Sequence, residues 1–192
     1  GLHGGSAGRL HRRIRLTGFF PGDLRPMSRP VIAVYPGTFD PITLGHEDIV
    51  RRAAGLFDQV IIAVAMAHHK KTLFTLDERL ALARDTASRY DNVSVEPFDG
   101  LVRDFVVDRG GKVMVRGVRG VTDFDFEFGL AGMNRNLAPD VETIFMTPAA
   151  TLQAVSSTLI REISQLGGDV APYVAPLVLE RLLDKRRARL AD

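Results

Sequence analysis

Tyr35–His46 reads YPGTFDPITLGH and joins two segments with different hydrophobic patterns. The apolar run at 31–34 that precedes it predicts a buried strand. The prolines and glycines within it predict a tight, non-helical loop. After Gly45 the apolar residues recur at helical spacing, which predicts an amphipathic helix. The predicted apolar face of that helix comprises Ile49, Val50, Ala53, Leu56 and Phe57.

This arrangement predicts an anion-binding loop. The start of a helix carries free backbone N–H groups, and the helix dipole attracts negative charge to the same point. Thr38 offers a hydroxyl there, and His46 offers an imidazole donor that suits a phosphate. A structural turn with a helix-capping threonine and an incidental histidine is the alternative interpretation of these residues.

The rest of the chain alternates between strand and helix patterns. Strands are predicted at 31–34, 60–65, 93–96, 112–115 and 142–146. Helices are predicted after Gly45, from the capping box at Thr75 to about Arg89, at 101–108, at 123–136, from Ser156 or Ser157 to near Gly167, and at 177–190. Repeated strand–helix units of this length predict a parallel sheet with right-handed crossovers. The predicted class is a doubly wound, Rossmann-like α/β fold with five strands, in which ligands bind at the carboxyl ends of the strands.

Two groups of basic residues follow predicted strands. Lys70 and Lys71 lie in the loop after the second strand, and Arg116 and Arg119 follow the fourth strand. Guanidinium groups suit phosphates because they stay charged and bind bidentately. Solvated surface is the alternative for both groups. Because these strand ends meet at the edge that carries Thr38, we expect the basic residues to surround a phosphate-binding site.

A third motif, VSSTLIR at 155–161, begins another predicted helix. Clustered hydroxyls at a helix start supply side-chain and backbone donors to a phosphate. An ordinary N-cap explains the same residues equally well.

These motifs resemble those of one enzyme family. Thr43-Leu44-Gly45-His46 resembles the T/H-x-G-H signature of the nucleotidyltransferase superfamily, and 35–46 as a whole is similar to bacterial phosphopantetheine adenylyltransferases. The family patterns around Lys70, from Arg116 to Glu127 and at 155–161 are also matched, so the resemblance runs from Val31 to Leu183. It implies the nucleotidyltransferase fold and adenylyl transfer from ATP to 4′-phosphopantetheine, giving 3′-dephospho-coenzyme A and pyrophosphate in coenzyme A biosynthesis.

The resemblance also implies site residues and partners. Catalytic roles fall on Thr38, His46, Lys70 and Arg119, and acceptor contacts on Thr38, Lys70, Val102 and Arg116. ATP contacts fall on Thr38, Phe39, His46, Gly117, Val118, Arg119, Glu127, Leu152, Gln153, Ala154, Val155, Ser156, Ser157 and Thr158. Mg²⁺ bound through the phosphates, feedback binding of coenzyme A and a homohexamer are further implications. Thr158, Arg161, Leu152 and Phe126 depart from residues common in the family, which leaves the adenine contacts open.

Composition narrows the alternatives. The chain has no cysteine, which agrees with a reducing cytoplasm. Its adjacent His68 and His69 lack the spacing of a zinc pair, so no metal held by protein side chains is expected. No apolar run approaches the ~20 residues that span a membrane. Residues 1–26 carry five arginines against Asp23, a balance of +4, so the other 166 residues hold about −2 and nucleic-acid binding is not expected.

Residues 1–26 begin with glycine and are rich in glycine and arginine. We interpret them as an unstructured leader, added artificially or translated from upstream, with Met27 as the natural start of a single domain at 27–192. An arginine-rich targeting peptide is the sharper alternative.

Two rival functions remain open from the sequence alone. Transfer of adenylyl or cytidylyl to another phosphorylated acceptor, such as nicotinamide mononucleotide, would use the same motifs. A nucleotide-binding regulatory module without catalysis is the second, although retention of Thr38, His46, Lys70, Arg116 and Arg119 argues against it.

Overall fold

The computed structural model describes residues 29–191, so the predicted leader at 1–26 lies outside the described residues. Within that range, five parallel strands form one sheet in the order β3-β2-β1-β4-β5. The strands are β1 Ile32–Gly37, β2 Gln59–Ala65, β3 Val93–Phe98, β4 Val113–Gly117 and β5 Glu142–Met146. The predicted doubly wound parallel sheet is confirmed.

The predicted helices are also present, with small changes at their ends. They are α1 Leu44–Leu56, α2 Leu76–Ala87, α3 Val102–Asp108, α4 Val121–Leu137, α5 Ser157–Gln165 and α6 Pro176–Ala191. Short 3₁₀ turns at Ala150–Leu152 and Ala171–Tyr173 were not predicted. The capping box at Thr75 is confirmed, because the Thr75 side chain accepts from the Glu78 N–H and Glu78 accepts from the Thr75 N–H.

Side chains of the central strands alternate between two hydrophobic clusters. In β1, Ala33 and Tyr35 face a large cluster with residues of α1, α2, α5 and α6, whereas Val34 faces a smaller one with Phe105 and Val106 of α3. Both faces of the sheet are therefore covered, which explains the continuous apolar runs of its strands. One expectation is wrong: Leu56, predicted on the buried face of α1, is 68% exposed. It is the last residue of the helix, and the buried residues of α1 end at Ala53.

The chain reverses direction across the sheet between β1 and β4. From β1 it adds β2 and β3 on one side, then crosses back to place β4 against the other side of β1. The loops that leave β1 and β4 therefore diverge, which opens a crevice at their carboxyl ends. Arg116 lies within β4 rather than after it, so it is held by the sheet at the edge of this crevice.

Helix α4 differs from the others in its packing. Asn134 is its one buried residue within the described chain. Most of its large apolar side chains are exposed, namely Val121, Phe124, Phe126, Phe128, Met133 and Leu137. Between residues 29 and 191, no helix combines the length and the apolarity needed to cross a bilayer.

Candidate active site

Two adjoining cavities occupy the crevice at the carboxyl ends of β1 and β4. We call one of them, with a volume of about 480 Å³, the α4-side cavity, because Asp123, Phe126 and Glu127 of α4 line it together with Arg119. The other, of about 410 Å³, we call the loop-side cavity, because Thr38, Lys70 and Lys71 line it from the loops after β1 and β2. Both cavities share Tyr35, His46, Gly117, Ser157 and Thr158.

His46 belongs to this shared wall and also caps α1. The Thr43 N–H donates to His46 Nδ1 at 3.0 Å, and the Thr43 side chain accepts from the His46 N–H, which together form a capping box. Because Nδ1 accepts a backbone hydrogen bond, the ring proton is assigned to Nε2. His46 therefore serves the turn through Nδ1 and carries its ring proton on the other nitrogen, and its role as a phosphate donor stays a prediction.

Burial, and secondarily the charge of Arg119, lowers the pKa of His46 from 6.5 to about 4. The imidazole is therefore neutral at physiological pH, so it offers a phosphate a hydrogen bond without a formal charge. Its ring is fixed from the side by Phe39, whose ring meets it edge-on at 5.1 Å between centroids.

Tyr35 lies in the crevice although the sequence did not single it out as a site residue. It lies within β1, is buried, and lines both cavities. Burial raises the pKa of its phenol, with nearby Arg116 acting in the opposite direction, so the group is a neutral hydroxyl. Neighbouring Gly117 allows the close packing here, because a Cβ atom at this position would lie 2.8 Å from Ile49 Cδ1 and 3.1 Å from the Tyr35 hydroxyl.

Arg116 near the end of β4 and Arg119 just after it are held by two carboxylates of α4. Arg116 binds Glu127 bidentately, with Nε–Oε2 and Nη2–Oε1 distances of 2.7 and 2.6 Å. Arg119 binds Asp123 through Nε and Nη2 at 2.9 and 3.3 Å and also donates to the Val155 carbonyl. Each of these two carboxylates therefore positions one guanidinium group.

The start of α5 supplies donors to both cavities. Ser156 is the N-cap, and its side chain accepts from the Leu159 N–H at 3.1 Å. The Ser157 hydroxyl donates to the Pro41 carbonyl at 2.8 Å, which ties α5 to the loop after β1. Thr158 is exposed on the shared wall. The ordinary N-cap and the predicted phosphate site thus use the same turn of helix.

Most of the predicted site residues meet in this crevice, but five do not line either cavity in the described chain. Val102 packs on α3 against the smaller hydrophobic cluster, and Val118 is buried after β4. Leu152, Gln153 and Ala154 lie in or just after the 3₁₀ turn that precedes α5. Phe39, predicted for ATP, lines the loop-side cavity.

The cavities also contain residues that were not predicted as site residues. Thr43 and Thr122 line the α4-side cavity, and Asp40 and Arg161 line the loop-side cavity. Thr43 could have been predicted as a helix cap, because it stands three residues before His46, whose ring can accept a hydrogen bond as in a capping box. Asp40 and Arg161 belong to the motifs at 35–46 and 155–161, so their positions next to predicted site residues were a signal as well, whereas Thr122 lies in the first turn of α4.

Comparison with known proteins identifies the class and then the family. Residues 34–163 match the family model described as cytidylyltransferase-like, so the chain is a nucleotidyltransferase of that superfamily. The protein named phosphopantetheine adenylyltransferase from Acidovorax sp. (strain JS42) is 66% identical over 155 residues, which cover 81% of this chain and 94% of that protein. Its namesake from Bordetella avium (strain 197N) is 56% identical over 159 residues, covering 83% and 95%. The chain belongs to the phosphopantetheine adenylyltransferase family.

Solved structures of more distant proteins have the same fold. Nicotinic acid mononucleotide adenylyltransferase from Plasmodium falciparum superposes with a TM-score of 0.62 at 13% identity, covering 81% of this chain and 96% of that chain. A bifunctional NMN adenylyltransferase/ADP-ribose pyrophosphatase from Francisella tularensis gives 0.61 at 16% identity, covering 81% and 49%. At such identities the likeness establishes the fold alone.

Proposed function

We propose that this protein transfers the adenylyl group of ATP to 4′-phosphopantetheine, giving 3′-dephospho-coenzyme A and pyrophosphate, as a step of coenzyme A biosynthesis. The observation that carries this proposal is the meeting of two cavities at His46, since the reaction requires two phosphate-bearing molecules side by side. Family membership supports phosphopantetheine as the acceptor.

We place ATP in the α4-side cavity and the acceptor in the loop-side cavity. The α4-side cavity has the start of α5 on one wall and Arg119 on another, which suits a triphosphate. The loop-side cavity is lined by Lys70, Lys71, Arg116 and Arg161, which suit the dianionic monophosphate of the acceptor. In this scheme Arg116 holds the phosphate of the acceptor and Arg119 those of ATP.

The reaction is a displacement at the α-phosphorus of ATP. A phosphate oxygen of the acceptor forms the new P–O bond, the bond to the bridging oxygen breaks, and pyrophosphate leaves with the electron pair. The second pKa of a phosphate monoester is about 6, so the nucleophile is already ionised at neutral pH and requires no general base. The protein then contributes positioning and charge stabilisation by Thr38, His46, Lys70 and Arg119 around the α-phosphate.

Mg²⁺ is proposed as a partner that arrives on the phosphates. Within residues 29–191, no group of three or more metal-ligating side chains is close enough to hold an ion. The carboxylates nearest the cavities also have partners, because Asp40 accepts two backbone N–H groups while Asp123 and Glu127 bind arginines. When bound, the ion would neutralise charge on the phosphate oxygens.

A homohexamer and feedback binding of coenzyme A are also proposed, both from the family resemblance. The exposed apolar side chains of α4 support self-association, because a large exposed apolar patch is typical of an interface. Coenzyme A contains the adenylyl and phosphopantetheine groups together, so it suits both cavities at once. Sedimentation velocity of the wild type and of Phe128→Glu, a variant at the expected interface, tests the homohexamer. Competition of coenzyme A against ATP tests feedback binding.

We further infer a cytoplasmic location, supported by the absence of cysteine from the whole chain.

Pyrophosphate release tests the proposed function directly. The purified protein is incubated with ATP and Mg²⁺, with phosphopantetheine, nicotinamide mononucleotide, nicotinate mononucleotide or no acceptor. We expect release with phosphopantetheine alone, and dephospho-coenzyme A as the product by mass spectrometry. Release with a mononucleotide and not with phosphopantetheine would show that the proposed acceptor is wrong. No release with any acceptor would favour a nucleotide-binding module without catalysis.

A further inference from the structure

Arg79 is a buried cation that plays no part in the reaction described above. It lies in the first turn of α2 and is 1% exposed. Its guanidinium group donates to four backbone carbonyls. Nη1 donates to Thr38 at 2.9 Å and to Ala65 at 2.7 Å, Nη2 to Met66 at 3.2 Å, and Nε to Phe74 at 3.3 Å.

The four acceptors belong to the two loops that line the loop-side cavity. Thr38 lies in the loop after β1. Ala65 ends β2, and Met66 and Phe74 begin and end the loop that contains Lys70. One planar group with fixed donor directions thus sets the distance between the two loops. A lysine in its place has three donors at one point and cannot reach carbonyls on opposite sides.

Asp40 links the same two loops, but by accepting hydrogen bonds from backbone N–H groups where Arg79 donates to carbonyls. Its carboxylate, 4% exposed, accepts from the backbone N–H groups of Leu73 and Phe74 at 2.9 Å each. Burial lowers the pKa of Arg79, and the charge of Asp40 acts against that shift. The charge of Asp40 thus supports the buried cation, while Arg79 binds carbonyls on both loops and Asp40 binds N–H groups of the loop after β2.

We propose that Arg79 is a positioning residue of the acceptor site, which holds Thr38 and Lys70 at the separation that the phosphate of the acceptor requires. The proposal rests on the proposed function for the identity of the acceptor. Arg79 contacts neither cavity itself, and of the residues it binds, Thr38 lines the loop-side cavity but not the α4-side cavity. The mechanism proposed above also brings Thr38 and Lys70 to the α-phosphate of ATP, but both line only the cavity assigned to the acceptor, so loss of Arg79 should weaken acceptor binding more than ATP binding, which a general role in stability would not do.

The test compares Arg79→Lys and Arg79→Met with Arg84→Met, a control at an exposed arginine of the same helix. Calorimetry measures the Kd of phosphopantetheine and of a non-hydrolysable ATP analogue. Limited trypsin digestion measures the rate of cleavage after Lys70 and Lys71, both exposed in the loop that Arg79 holds. We expect the Kd of phosphopantetheine to rise about tenfold or more, the scale of one lost charge-assisted hydrogen bond. Cleavage should become several-fold faster, and the Kd of the ATP analogue should change by a smaller factor than the Kd of phosphopantetheine, whereas the control should change neither.

Several results would overturn the proposal. One is unchanged phosphopantetheine affinity and unchanged cleavage in Arg79→Lys, and another is an equal loss for both substrates. If Arg79→Met does not fold, Arg79→Lys decides; if neither folds, Arg79 is a folding residue and not a positioning one. The cleavage rate is measured without an acceptor, so it tests this proposal independently of the proposed function. If the proposed function is wrong, the wild-type protein itself does not use phosphopantetheine.

Discussion

The α4-side cavity and the loop-side cavity share a wall, yet they present positive charge in different ways. In the α4-side cavity the donors are largely the starts of α1 and α5, with Thr43 and Ser156 as caps. In the loop-side cavity they are lysine and arginine side chains on loops and on β4. The first set is fixed by the helices themselves, whereas the second depends on braces such as Asp40.

This difference has a chemical consequence. Main-chain donors and a neutral imidazole cannot move far, so they suit charge that develops at one point during a reaction. Cationic side chains attract a dianion strongly but bind it in both the ground state and the transition state. We therefore expect substitutions in the shared wall to alter the catalytic rate and substitutions among the loop-side cations to alter the affinity for the acceptor.

The largest effect is expected for His46→Ala. Its Nε2–H should meet more negative charge in the five-coordinate transition state than in bound ATP, so its loss should lower kcat by about 10²–10³-fold. The Kd for ATP, measured by calorimetry, should rise much less. His68→Ala is the matched control, since His68 is exposed and pairs with Asp99. A mutant that binds ATP a thousandfold more weakly yet turns over normally at saturation would contradict this role, as would a covalent adenylyl-enzyme in single-turnover experiments.

Arg116→Ala should have the next largest effect and should sharpen the contrast between the cavities. Loss of one charge-assisted contact, roughly 1.5–3 kcal/mol, corresponds to about a ten- to hundredfold rise in KM for phosphopantetheine. The KM for ATP should change far less, and Arg119→Ala should show the reverse preference. Steady-state kinetics with each substrate varied in turn checks both. Equal changes for the two substrates would overturn the assignment of the cavities.

A smaller effect is expected on stability at mildly acidic pH. The pKa of His46 is about 4 in the folded protein, below its ordinary value of 6.5. Between these values the unfolded chain binds more protons, so the free energy of unfolding should fall as the pH drops from 6.5 towards 4. The contribution is at most about 1.4 kcal/mol per pH unit. Urea denaturation of wild type and His46→Gln should show a shallower pH dependence in the mutant; identical slopes would mean that His46 is not held neutral by the shared wall.

No effect is expected from deleting residues 1–26. Their composition shows no core-forming pattern, and Tyr35 is the earliest residue that lines either cavity in the described chain. Activity and Tm should be unchanged in the shortened protein. A large loss of either would show that this segment packs on the domain and contributes to the properties of the two cavities.

The sequence predicted the features that depend on local pattern. The order of strands and helices follows from hydrophobic runs, and Thr38, His46, Lys70 and Arg116 were expected at one edge because strand ends meet there. The ion pair between Arg116 and Glu127 was not predictable. The two residues are eleven positions apart, and whether they meet depends on how α4 packs against the sheet. Arg79 was missed for a related reason: in an amphipathic helix a charged residue is expected in solvent, and only the packing of two loops against α2 provides it with carbonyls. Tyr35 resembles any other strand residue until the fold shows that its position lies at the crevice.

The pair formed by Arg116 and Glu127 crosses from one cavity to the other. Glu127 lines the α4-side cavity and Arg116 the loop-side cavity, so an anion that draws Arg116 away leaves an uncompensated carboxylate beside the neighbouring ligand. Occupancy of either cavity thereby changes the electrostatic potential in the other. Thermodynamic linkage makes such a change reciprocal: the factor by which ATP alters the affinity for the acceptor must equal the factor by which the acceptor alters the affinity for ATP. The Arg116–Glu127 ion pair therefore predicts that the two substrates bind with coupled affinities.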